Sequence, residues 1–272
     1  MIRMMLLVSL LLAQVSCAKV YVWEDANGQK HYADRAESNA DVKELTLTQH
    51  HTYYAIKKVF DGDTVKLQDG RKIRFLGINT PEVAHSNHYA QAGGEAAKQW
   101  LIKQLKGQKV RLEFDAEKKD KYKRTLAHLF TESGVHLNHE LVRLGLASVS
   151  VFPPNLNYIP ELLTAQDEAE QNNRGIWKDK AYAAKPATDL SAHNKNGWQR
   201  IVMTVSAIKK TRKSIYLKWN KHFIVRIEKH HAQYFDDIDS LKGQKIEVRG
   251  WVRKYKKGYS MQLKHGGLLK RL

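Results

Sequence analysis

Apolar and polar residues alternate over several short stretches of this 272-residue chain. Val20, Tyr21, Val22 and Trp23 are good strand formers near the start of the chain. Asn27-Gly28, the strongest short hairpin-turn signal, follows, and His31-Tyr32 begins a return strand. Strands are predicted again at 53–60, 63–68 and 71–78, the last two joined by Asp69-Gly70. Helical spacing then takes over at 95–105, where Ala96, Trp100, Leu101 and Leu105 recur on one face. Two more strands are predicted at 109–115 and 124–131. A helix follows at about 136–144, and a third at about 160–172 ends near Gly175. A meander interleaved with helices predicts an α+β domain, a small barrel with helices packed outside it.

Residues 181–196, with Pro186 and little periodicity, read as a linker. Five strand-like runs come next, at 200–208, 214–219, 222–228, 244–253 and 258–264, with a short helical insert around 230–237. That pattern fits a second five-stranded barrel of the OB type. The expected domains are therefore a leader at 1–18, a hairpin module at 19–50, a main domain at 51–180, the linker, and a β-domain at 197–272. A two-stranded hairpin alone is marginally stable, so the module at 19–50 is expected to pack on something larger.

Charge sharpens this division. The chain has a formal net charge of +18, and residues 191–272 hold 20 Lys/Arg against 5 Asp/Glu. So concentrated an excess points to a polyanion-binding module, with DNA or RNA as the expected partner and an anionic surface or a merely solubilising face as alternatives. Arg3, an apolar run from Met4 to Ala13 and the small residues Ser16-Cys17-Ala18 make an export leader, too short to span a bilayer, which takes about 20 apolar residues. Cleavage before Lys19 gives a periplasmic or secreted protein, and lipidation at Cys17 is the alternative, weakened by Gln14. Cys17 is the single cysteine, so the processed chain has neither disulfide nor thiol chemistry.

The chemistry gathers in the main domain. Asp61-Gly62-Asp63-Thr64 and Asn79-Thr80-Pro81-Glu82 lie at ends of neighbouring strands. The intervening hairpin can bring Asp63, Asn79, the Thr80 carbonyl and Glu82 to one sheet edge, a hard-oxygen set suited to Ca²⁺ or Mg²⁺. Each stretch by itself also reads as an ordinary turn. Arg74, and Arg124 in Asp120-Lys121-Tyr122-Lys123-Arg124, supply two guanidinium forks, which could equally be surface ion pairs. Two arginines, a carboxylate and a divalent ion are what phosphodiester cleavage needs, because charge develops on the phosphorane oxygens while water is deprotonated. His85 and His88 hint at metal but lack a third ligand, and a solvated loop explains them as well.

DGDTVKL, RFLGINTPE, GGEAAKQWL, DKYKRTLA, LVRLGLA and RGIW together resemble, in order and spacing, the staphylococcal nuclease (thermonuclease) family over about residues 53–178. The resemblance implies an OB-type barrel with three helices and sugar-non-specific endonuclease hydrolysis of DNA and RNA to 3′-phosphate ends. It implies Ca²⁺ as cofactor, with Mg²⁺ or Mn²⁺ as substitutes. It also implies that Asp63 and the Thr80 carbonyl hold calcium with the residue at 79, and that Glu82 serves as general base or water holder. Arg74 and Arg124 would clamp the scissile phosphate, Lys121 and Tyr122 a neighbouring phosphate, and Phe152 would stack on the nucleotide. Three positions depart from the family. Asn79 replaces a second ligating aspartate, which should loosen calcium binding. Lys123 replaces a common glycine, a strain if φ is positive there. Ser148 to Pro153 offers only Phe152 as an aromatic, with Tyr158 further along. The residues at 19–35 resemble the hairpin module that follows the leader in envelope proteins of Gram-negative bacteria.

In the basic domain, alternation turns Ile246, Val248 and Val252 inward and leaves Arg249, Trp251, Arg253 and Tyr255 on the outer face. Aromatics interleaved with cations suit single-stranded nucleic acid. A bulge at Gly250 would instead turn Trp251 into the core. Lys209, Lys210, Arg212 and Lys213 add a phosphate-contacting tip. No catalytic set is visible in this domain, so binding alone is expected there. The rival reading of the whole chain is a nucleic-acid-binding envelope protein with weakened or lost cleavage.

Overall fold

A computed structural model of the chain describes residues 20–25, 27–33, 43–45, 51–84, 90–191 and 197–272. The expected leader, His85 and His88 lie outside these residues. The chain forms two compact units, 1–51 and 52–272.

In the first unit β1 (Val20–Glu24) and β2 (Lys30–Ala33) make the expected hairpin, with Trp23 opposite His31 and the two rings stacked at 5.5 Å. A third strand, β3 (Lys43–Leu45), pairs with the other edge of β1. It escaped the sequence reading because three residues carry too little periodicity to register.

The second unit begins with β4 (Tyr53–Asp61), β5 (Thr64–Leu67) and β6 (Lys72–Phe75). Together with β8 (Lys109–Glu113) and β9 (Thr125–Thr131) they close a barrel in the order β4-β5-β6-β9-β8, with β6 and β9 parallel. Its interior holds Val65, Leu67, Ile73, Phe75, Val110, Ala127 and Leu129, all buried. Three helices pack on the barrel: α1 (Gly94–Leu105), α2 (Leu137–Arg143) and α3 (Ile159–Gln171). They bury Ala97 and Leu101, Leu137 and Leu141, and Ile159 and Leu162 respectively. Hydrophobic area removed from water holds them there. The strand expected to run to residue 78 stops at Phe75, because Gly77 turns the chain at φ +74°. Ile78 and Asn79 then form β7, which pairs with β10 (Ser148–Val149) in a separate two-stranded sheet.

The basic domain contains β12 (Gly197–Thr204), β13 (Ala207–Lys210), β14 (Ser214–Lys218), β15 (Phe223–Glu228), β16 (Lys245–Tyr255), β17 (Gly258–Leu263) and β18 (Leu269–Arg271). Preceding them, β11 (Lys185–Pro186) pairs in parallel with β12. The described part of the expected linker is thus folded onto a sheet edge. The ladder runs β11-β12-β16-β17-β15-β14-β13, with β18 also on β16. It is an eight-stranded sheet in which β12 and β13, halves of one run of the chain, sit at the two ends of the path β16-β17-β15-β14. The run at 200–208 is two strands, and it changes partners between them. The Val205 amide donates to Gln244, on the β16 side, while the Ser206 amide donates to Lys218 on β14. The expected helical insert is a 3₁₀ turn at Lys229–Tyr234. Among the described residues no helix is long and apolar enough to cross a membrane.

Candidate active site

The hairpin logic that places acids beside one another is visible in the registers. Thr64 lies opposite Arg74, and Asp61 opposite Thr64, so the β4–β5 turn and the end of β6 share one rim of the barrel. Asp63 is buried there. Its Oδ1 accepts from the Thr64 hydroxyl at 3.0 Å, and its Oδ2 accepts from the Thr80 amide at 2.8 Å. Arg74 Nη2 stands 3.1 Å from the same Oδ2 and donates to Asn79 Oδ1 at 3.3 Å. The Asn79 side-chain Nδ2 donates to the Thr80 carbonyl at 3.2 Å. Asp63, Arg74, Asn79 and Thr80 are therefore one connected network.

Glycines let the backbones approach this closely. A Cβ at Gly62 would stand 2.6 Å from Ala97 and 2.7 Å from the Thr80 side chain. One at Gly94 would stand 2.5 Å from the Glu82 carbonyl oxygen. The start of α1 is thus pressed against the turn and the segment that carry Asp63 and Glu82. Glu82 is exposed and lies beyond buried Pro81, whose fixed φ restricts its approach. Gln91 grips the Glu82 backbone from both sides: its side-chain oxygen accepts from the Glu82 amide at 3.0 Å and its amide donates to the Glu82 carbonyl at 2.8 Å.

Two residues were not singled out from sequence. Asp61 Oδ1 accepts from the Asp63 amide at 3.0 Å. Burial first, then the charge of Asp63, push the Asp61 carboxyl up to about 6. The signal was its place as the first acid of Asp-Gly-Asp. Trp198, from β12, lines a pocket of about 200 Å³ together with Asn79, Pro81, Ser148 and Tyr182, so the basic domain supplies a wall beside the network. Nothing local in the sequence could have placed it there.

Arg124 lies just before β9, two residues ahead of Leu126, the strand partner of Arg74, and is paired with Asp120. Its Nε donates to Asp120 Oδ2 at 2.7 Å, and Asp120 Oδ1 also accepts from the amides of Tyr122 and Arg124. Burial alone would raise the Asp120 carboxyl, but these bonds outweigh it and hold it below the usual carboxylate range. Lys123 sits at φ +63°, the left-handed conformation that its side chain disfavours by roughly 1–2 kcal/mol. The Asp120 bonds hold it there. Lys121 and Tyr122 are exposed on the same loop, with the ammonium 4.9 Å from the ring. Phe152 is exposed, 6.4 Å from Trp251 and beneath the Lys264 ammonium at 4.8 Å. Tyr158 donates to Glu113 and meets the rings of His128 and His136.

The basic face needs one correction. Arg249 is buried: Nη1 and Nη2 reach Glu170 of α3 at 2.6 and 3.0 Å, and Nε reaches Glu247 at 2.7 Å. Arg200 completes the clamp, to Glu247 at 2.8 Å and Glu170 at 3.2 Å. Arg249 is therefore a structural arginine closed to phosphate, because α3 covers this end of the outer face. The register runs unbroken through Gly250, so no bulge forms and Trp251 stays outside. Arg253 and Tyr255 are exposed as expected, as are Lys209, Arg212 and Lys213, while Lys210 pairs with Asp239 at 2.6 Å.

A closed five-stranded barrel with acids, an arginine and a backbone carbonyl joined at its rim fits a nuclease that cleaves phosphodiester bonds. The comparisons agree: the family described as Staphylococcal nuclease homologue matches residues 72–179, and a domain of unknown function (DUF4124) matches residues 7–52. Thermonuclease of Staphylococcus intermedius is 40% identical over 128 residues, 46% of this chain and 76% of the relative. Thermonuclease of Staphylococcus hyicus is 35% identical over 129 residues, with the same shares. Endonuclease YncB of Bacillus subtilis is 30% identical over 171 residues, 58% of this chain and 81% of the relative. The chain belongs to the staphylococcal nuclease homologue family.

Proposed function

We propose that this chain is an exported, Ca²⁺-dependent endonuclease that hydrolyses DNA or RNA to 3′-phosphate ends, and that its basic domain holds the polynucleotide. The observation that carries the reading is the network of Asp63, Arg74, Asn79 and Thr80 beside exposed Glu82. Its oxygens, one carboxylate, one amide and one backbone carbonyl, suit a hard cation, with Mg²⁺ or Mn²⁺ as substitutes. A cation held there would neutralise charge on a non-bridging phosphate oxygen. Arg74 donates to the same developing charge, and Arg124 joins it once its guanidinium leaves Asp120 for the phosphate. Glu82 accepts the proton of the attacking water, whose oxygen bonds to phosphorus as the bond to the 5′-oxygen breaks. The 5′-oxygen leaves as a hydroxyl after taking a proton from solvent. Lys121 and Tyr122 hold an adjacent phosphate, and Phe152 offers a face to a base. Export rests on the leader pattern at 1–18.

The binding role rests on a groove of about 480 Å³ in the basic domain. Lys209, Lys218, Lys221 and Lys256 surround it, Tyr216 and Tyr255 offer rings, and no lining residue is acidic. Cations with stackable rings favour a single strand over other polyanions. Replacing Lys218 and Lys221 by alanine should lower the slope of log affinity against log salt by about 2. An unchanged slope removes the groove from the reading.

One observation favours the rival reading of binding without cleavage: Arg124 is tied to Asp120. The deciding experiment incubates plasmid and RNA with the protein in Ca²⁺ or in chelator. Degradation that chelator stops, leaving 3′-phosphate ends, is expected; no degradation at any calcium level overturns the enzyme reading.

A further inference from the structure

The basic domain carries a second cluster of metal-ligating side chains, remote in sequence from the nuclease motifs. β15 ends at Glu228, and the 3₁₀ turn Lys229–Tyr234 folds His230 and His231 back towards that carboxylate. Glu228 Oε2 lies 3.7 Å from His230 Nε2 and 3.9 Å from His231 Nδ1. The three donor atoms all lie within 4.8 Å of one another, and among the described residues they form the only such group of His, Cys, Asp and Glu. Arg226 Nη2 donates to the other carboxylate oxygen, Oε1, at 3.0 Å, so Oε2 is left facing the imidazoles.

A second observation points to a ligand. His231 is 6% exposed, and its Nδ1 has no hydrogen-bond partner. A buried polar nitrogen without a partner is costly and uncommon. This one is aimed at the carboxylate, too far away for a hydrogen bond and close enough for a shared ion.

We propose that Glu228, His230 and His231 bind a zinc-class divalent cation, leaving one coordination position open to water. Two imidazoles and a carboxylate are a zinc-type set, with bonds of about 2.0–2.2 Å, so modest side-chain rotation brings the donors in. The oxygen set around Asp63 suits calcium instead, so the two sites select different metals. Burial lowers the His231 pKa, with His230 and Lys264 adding to it, and the neutral ring is the form that ligates. The Lys264 ammonium opposes a cation and limits the affinity. His230 is mostly exposed, so the ion is reachable from solvent, and it ties the turn to the end of β15.

The test is calorimetric titration of Zn²⁺ into the tag-free full chain, stripped with chelator and held in excess Ca²⁺. One zinc equivalent is expected, retained in Asp63→Ala and weakened at least tenfold in both His230→Ala and Glu228→Gln. His230→Ala removes an exposed side chain, so its fold should survive, and thermal unfolding checks that. Cobalt(II) in place of zinc should show visible absorption that both variants lose. The proposal is overturned if the folded variants keep the affinity of the parent, if the zinc equivalent vanishes in Asp63→Ala, or if no zinc equivalent binds.

Discussion

The closed barrel β4-β5-β6-β9-β8 and the ladder of β12 to β17 place their strands in one order, yet they put opposite charges at equivalent places. In each, the first strand pairs with the second and fourth, and the third lies parallel to the fifth. The turn after the first strand is Asp61-Gly62-Asp63 in the barrel and Thr211-Arg212-Lys213 in the ladder. One turn gathers negative charge, while the other presents positive charge. Arginines diverge in the same way. Arg74 sits half-buried beside Asp63 at the barrel rim, whereas Arg249 is buried as a fastener. Strand order positions these turns, and the side chains placed on them decide what each region does.

The largest expected effect separates the regions. Glu82→Gln should lower cleavage by about 10²–10⁴-fold, while filter binding of DNA in the same variant changes less than twofold. Equal cleavage would remove Glu82 from its role. Next is the clamp between them. Glu170→Ala leaves Arg249 and Arg200 short of a carboxylate, and denaturant unfolding should show a loss of about 3–5 kcal/mol. A loss under 1 kcal/mol would mean that Glu247 alone satisfies both. Smaller again, Asn79→Asp restores a second charge to the oxygen set. It should lower the calcium concentration for half-maximal cleavage by about tenfold, roughly 1.4 kcal/mol. Smallest is Lys123→Gly, which relieves the left-handed backbone and should raise stability by about 0.5–1 kcal/mol in the same unfolding assay.

Much of this was legible because it is local. Thr64–Leu67 and Lys72–Phe75 alternate as strands must, and the three helices fall within one or two residues of their predicted ends. The joining of Asp63, Arg74, Asn79 and Thr80 was readable since a short hairpin relates them. Features that depend on distant partners were not. Alternation put Arg249 on the outer face correctly, but the covering Glu170 comes from 79 residues earlier. The β7–β10 pairing joins residues about 70 apart. The split of the first ladder strand depends on Gln244 and Lys218 drawing adjacent amides in opposite directions.

The clamp of Glu170, Arg200, Glu247 and Arg249 also has a thermodynamic meaning. Behind it a single contiguous apolar core runs from Val65 in the barrel to Leu268 near the chain end. Neither region can expose its side of that core or its half of the buried ion pairs without stranding the other's. Heating should therefore melt residues 52–272 as one cooperative body, with a calorimetric enthalpy equal to the van't Hoff value, and the nuclease barrel inherits its melting temperature from the basic domain beside it.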